Sequence, residues 1–175
     1  MKKHVLLISI LVFSFVAIFG GFGQETEPDP AIQKAKEDTV VVYDLGRFFG
    51  YLITLEKEIP KQALSMEQLE TMYETAMEIE TLERIEPVWA EERLDFLELD
   101  VLTVDQLLEI DLLIIAREEA RVPQEKGTGS GGGTGSGPLT TYVAGGAFNP
   151  IIDETKSIGE GFFEFIEYAA EKLGK

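Results

Sequence analysis

Cysteine is absent from all 175 residues, and the only histidine is His4. Without cysteine there is no disulfide to close the fold, so any core must hold by packing alone. If the first residues are removed, the remainder also has no histidine. Ser-His-Asp catalysis, a Cys-His pair and a His/Cys zinc site are then all excluded. Positive charge is scarce as well, with 15 Lys and Arg against 32 Asp and Glu and a formal net charge of −17. That balance repels nucleic acid and anionic membrane surfaces. It predicts no nucleic-acid partner and no binding of the mature chain to a membrane surface, and suits a solvated protein or one that binds cations or basic partners. No metal or cofactor is expected, because the mature chain lacks His and Cys.

What the chain does have begins at its N-terminus. Met1-Lys2-Lys3-His4 is followed by an apolar run from Val5 to Phe22, then Gly23-Gln24-Glu25. A basic start, an apolar stretch and small residues at its end are the order of a secretory signal. Gly21 and Gly23 stand at −3 and −1 of a cut before Gln24. Residues 1–23 are therefore expected to be a signal peptide, with the protein exported to the periplasm or the extracellular space. No Cys follows, which excludes lipoprotein processing. The alternative is an uncleaved anchor, because eighteen helical residues reach ~27 Å, barely a bilayer core. The expected mature chain holds all 32 acidic residues and 13 of the 15 basic ones, a formal charge of −19.

Beyond the leader, composition divides the chain. Residues 24–38 are polar and acidic with Pro28 and Pro30, and are expected to be a disordered spacer. Residues 39–122 carry helical periodicity and form the expected helical domain. Residues 123–138 enclose GTGSGGGTGSG between Pro123 and Pro138, a flexible linker. This tract lacks the Lys-Ser/Thr ending of a phosphate-binding loop. Residues 139–175 return to foldable composition.

The periodicity predicts helices over about 43–58, 65–84, 87–99, 103–121 and 157–173. In the first, Leu45, Phe48, Phe49, Leu52 and Ile53 share one arc, and Gly46 and Gly50 lie one turn apart, where a neighbour could pack closely. Two starts carry capping boxes. Ser65 with Gln68 and Thr103 with Gln106 stand at N-cap and N3, each flanked by leucines (Leu64 and Leu69, Leu102 and Leu107) spaced for a hydrophobic staple. The helix from Thr103 is apolar nearly all round and is expected at the centre of the core. Ser157 and Glu160 read as a third capping box, opening a C-terminal amphipathic helix that docks on its own domain. The expected fold is all-α, a small antiparallel bundle with a Gly-rich linker and a C-terminal helix packing back.

Two carboxylates sit off-pattern. Glu56 falls within the first helix's apolar arc, and Asp111 interrupts the apolar helix. Burial of an unpartnered ion is costly, so each should find a cation or a helix N-terminus, with Arg84 or Arg93 as candidates for Glu56. Leu94 to Asp100 is acidic but lacks the glycine turn of a calcium loop. Trp89 and Tyr73 read as core residues.

Leu64-Ser65-x-x-Gln68 and Leu102-Thr103-x-x-Gln106 resemble the twin LTxxQ signature of small helical periplasmic chaperones and envelope-stress regulators. More of the chain is similar to uncharacterised signal-peptide-bearing bacterial proteins. In those a Leu-Gly-Arg-Phe helix, here Leu45-Gly46-Arg47-Phe48, precedes two helices opened by LTxEQ-like turns. A Gly-rich spacer and an Asn-Pro turn, here Asn149-Pro150, then lead to a terminal helix. The first resemblance implies a chaperone or stress sensor; the second implies a shared helical fold and no activity.

The functional expectation is a non-catalytic exported module acting through contacts with a protein partner in the cell envelope. An LTxxQ-like chaperone or stress sensor is the alternative. An enzyme built only on carboxylates and tyrosines is the remaining one.

Overall fold

The computed structural model describes residues 29–120 and 137–175. The leader, residues 24–28 of the expected spacer and linker residues 123–136 lie outside that range.

The chain turns helical earlier than its composition predicts. Asp29 accepts the Ala31 N–H at 2.8 Å and Pro30 occupies the first turn, opening α1 over Pro30–Asp38. An Asp-Pro start of this kind supplies a cap and a preset φ. The spacer expected to reach residue 38 therefore gives way to helix at Pro30. Thr39 is fully buried, and its hydroxyl donates to the Ala35 carbonyl at 2.8 Å where α1 meets α2.

Helix α2 spans Val40–Glu58 and takes in the β-branched Val40-Val41-Val42. Burial of Val42 overrides the weak helix propensity of that run. Leu45, Phe49, Leu52 and Leu55 are fully enclosed, because α2 touches α7, α4 and α5 on different sides. After the short 3-10 turn Pro60–Gln62, α3 runs Met66–Thr81. Helix α4 opens with Pro87 and runs to Phe96, then widens into one π-type turn over Leu97–Val101. Helix α5 covers Val104–Ala120. Past the linker come α6, Pro138–Val143, a 3-10 turn over Pro150–Ile152, and α7, Ser157–Leu173, which ends on left-handed Gly174 at φ 69°.

The C-terminal segment is part of the same core. Phe162 and Phe165 of α7 are fully buried, with ring centroids 5.3 and 5.2 Å from Phe49 of α2. Close approach needs the glycines: a Cβ on Gly161 would lie 3.1 Å from the Gly50 Cα, and one on Gly46 would lie 2.5 Å from Ile158. The spacing of Gly46 and Gly50 thus admits α7. The fold is an all-α helical bundle with its C-terminal helix packed back onto α2 and α3.

Two expectations are corrected by this arrangement. The centre of the core is α2, and α5 lies at the edge with only Gln106 and Ile110 buried. An apolar helix need not be central when another is already covered on more sides. The third capping box does not form either. Lys156 is the N-cap of α7 with no side-chain bond, and Ser157 is exposed inside the first turn. The preceding turn explains the shift. Asp153 accepts the Thr155 N–H and hydroxyl through Oδ1, and its carbonyl accepts the Lys156 N–H at 2.9 Å. Gly159 packs directly beneath that carbonyl.

Candidate functional site

The two remaining capping boxes are present and meet. Ser65 Oγ accepts the Gln68 N–H at 3.2 Å, and Gln68 Oε1 accepts the Ser65 N–H at 2.8 Å. Thr103 and Gln106 repeat the exchange at 3.3 and 2.9 Å. Each glutamine has an amide NH2 left over, and these join the two starts: Gln68 Nε2 donates to Gln106 Oε1 at 2.8 Å and to the Val101 carbonyl at 2.7 Å. Gln106, 4% exposed, also donates to the carbonyls of Gln62 and Ala63. A buried amide with every group partnered locks geometry rather than offering it to a ligand.

Glu56 is also engaged, locally at the start of α3 as expected, but not with either of the candidate cations. One oxygen accepts the Leu64 N–H and the other accepts the Tyr168 hydroxyl at 2.7 Å. Burial and this carboxylate push Tyr168 up to about 12. The candidate cations are used elsewhere. Arg93 pairs with Glu78 at 3.2 Å. Arg84 pairs with Glu86, donates to the carbonyls of Tyr142 and Gly146, and stacks 4.3 Å from the Tyr142 ring centroid. Asn149, which the motif reading treated only as a turn, donates to the carbonyls of Ile79 and Leu82 at 2.8 Å each. It thereby closes the C-terminal end of α3 with the segment beyond the linker. Only its Asn-Pro context marked it in the sequence.

Asp111 is exposed on α5 and is not among the partners of Glu56. Asp111 does act on a neighbour. Glu98 of the π-type turn is raised above the usual carboxylate range by burial first, then by Asp111, Asp95 and Asp44. Among the described residues no group of three or more His, Cys, Asp or Glu side chains is placed to hold a metal ion, and no helix is long and apolar enough to cross a membrane. Trp89 and Tyr73 are half-buried against the core, with Arg93 and Lys175 over their rings.

The surface feature that stands out is the outer face of α5. Val104, Leu108, Leu112 and Ile115 are 82, 57, 51 and 51% exposed. At 100° per residue they fall within an arc of about 80°. Asp105, Asp111, Glu118 and Glu119, all exposed, border or interrupt that arc. Leu99, 75% exposed on the preceding turn, is a further uncovered apolar side chain. Among the described residues the outer face of α5 is one apolar stripe rimmed by carboxylates.

The architecture defines a class, an all-α helical bundle that, among the described residues, leaves the outer face of α5 uncovered. No family model, curated protein or solved structure matches the chain.

Proposed function

We propose that this protein is an exported, non-catalytic helical binding module that docks a partner protein on the outer face of α5. The reading of export rests on the basic-apolar-small order of residues 1–23. The observation that carries the docking role is the stripe Val104, Leu108, Leu112 and Ile115, which no described residue covers while α2 takes the core. Exposed leucines at successive turns of one helix cost solubility and add little to the monomer's packing. Glu56, Gln68 and Gln106, the polar groups at the helix junctions, are occupied by structural bonds.

The carboxylate rim selects the partner's chemistry. An amphipathic helix with an apolar face and flanking Lys or Arg complements it, whereas an acidic helix is repelled. The test is a titration with a synthetic helix of that pattern and with its Glu-flanked counterpart. The basic peptide should bind, more weakly as salt rises, and Leu108→Glu with Leu112→Glu should abolish binding without lowering thermal stability. Equal binding of both peptides, or binding that survives the double substitution, would overturn the assignment.

A further inference from the structure

A separate feature lies beside α2. A cavity of about 750 Å³ opens between α2, the C-terminal half of α5, α6 and the start of α7. Its charge departs from that of the whole chain. Arg47, Arg117 and Lys156 line it against two carboxylates, Glu83 and Asp153, in a protein with twice as many acids as bases. Arg47 is paired with Asp44. Arg117 and Lys156 form no ion pair among the described residues.

Two further observations point to the same chemistry. The wall is largely apolar, with Tyr43, Leu82, Ala147 and Ile152 contributing. The first turn of the 17-residue helix α7, which reaches this cavity through Lys156, Ser157 and Ile158, has no side-chain cap. The serine that sequence places at the cap is displaced by the Asp153 turn. An uncapped helix N-terminus favours an anion, and here it opens beside cations and an apolar wall. The volume lies within the range of small-molecule pockets.

We infer that this cavity binds a small organic anion with an apolar body, a monocarboxylate whose head meets Lys156, Arg117 and the α7 N-terminus while its body covers Tyr43, Leu82 and Ala147. Aromatic or aliphatic acids of about eight to ten carbons fit that description of charge and surface. The site is independent of the α5 docking face, which carries carboxylates where this cavity carries cations.

The test uses octanoate and, as its uncharged counterpart, octan-1-ol, followed by calorimetry and by amide chemical shifts of the whole protein. Octanoate should bind, shifting the amides of Gly46, Ser157 and Ile158, and octanol should bind at least roughly tenfold more weakly, the loss of a charge-assisted hydrogen bond. Arg117→Gln with Lys156→Gln should remove that preference while leaving the thermal transition in place. Ala147→Trp, at an exposed position on the cavity wall, should weaken both ligands. The Leu108→Glu, Leu112→Glu protein should bind octanoate unchanged, so that failure of one site is distinguishable from failure of the other. Three results would overturn the inference: no binding at millimolar octanoate, equal affinity for the alcohol, or shifts confined to α5.

Discussion

The side-chain amides of Gln68 and Gln106 hydrogen-bond to each other at 2.8 Å while each also closes the capping box of its own helix. The same residue type at the same place in two helix starts thus serves twice, once locally and once between helices. Each glutamine's oxygen reaches back to an N-cap N–H, which leaves its NH2 pointing outward to be shared. This pair fixes how the start of α3 sits against the start of α5.

Replacing Gln106 by Ala should destabilise the protein by about 2–3 kcal/mol, because it takes the side-chain partner from the Thr103 N–H, the Gln68 amide and the carbonyls of Gln62 and Ala63. Gln68→Ala should cost less, since Gln68 is less buried. The double variant should lose less than the sum. Urea denaturation of the four proteins checks this; strict additivity would show that the two boxes are energetically separate.

The Glu56–Tyr168 bond ties α2 to α7 and should be legible in the alkaline limb of stability. Tyr168 is held at about 12 against an ordinary 10. The folded state therefore favours the protonated phenol. Its contribution is complete below pH 10 and is lost as pH rises from 10 towards 12. Tyr168→Phe should cost about 1 kcal/mol at pH 7 and flatten that limb, measured by denaturation between pH 8 and 12.

Glu98 behaves in the same sense at lower pH. Its folded value lies above the usual 4.5, so the fold favours the neutral acid. The contribution is full below about pH 4.5 and declines as pH rises through the folded value. Glu98→Gln should therefore stabilise the protein at pH 7 by a few tenths of a kcal/mol, with the gain vanishing in acid. Stability curves of both proteins from pH 3 to 8 decide it, and a constant offset would argue against burial and the neighbouring acids as the cause.

Gly159 and Gly46 separate two kinds of close approach. A Cβ on Gly159 would stand 2.2 Å from the Asp153 carbonyl oxygen, which is backbone, whereas one on Gly46 meets the end of the Ile158 side chain. Gly159→Ala should cost more than about 3 kcal/mol, and Gly46→Ala about 1–2 kcal/mol. The Gly46 penalty should shrink in an Ile158→Val background. Melting temperatures of the set provide the measurement.

Removing residues 139–175 should abolish the cooperative thermal transition, because Phe162, Phe165 and Ala169 fill the core beside Phe49. A truncated chain that melts as the whole protein does would show that the C-terminal segment is not part of the core.

The sequence by itself determined most of the helices, because periodicity and caps are local. Ser65 with Gln68, Thr103 with Gln106, Pro87 at a first turn and Gly174 at an end needed only their neighbours to be read. The Gly46 and Gly50 spacing announced a close neighbour without naming α7. What the tertiary structure decided was which faces are covered. The apolar residues of α5 look alike in sequence, yet α2 reached the centre because it is enclosed by α7, α4 and α5, and among the described residues α5 keeps one face open. Glu56's partners, Leu64 and Tyr168, lie 8 and 112 residues away. The cavity's cations come from α2, α5 and the start of α7. No local pattern encodes those distances; they exist only once burial has chosen among competing apolar faces.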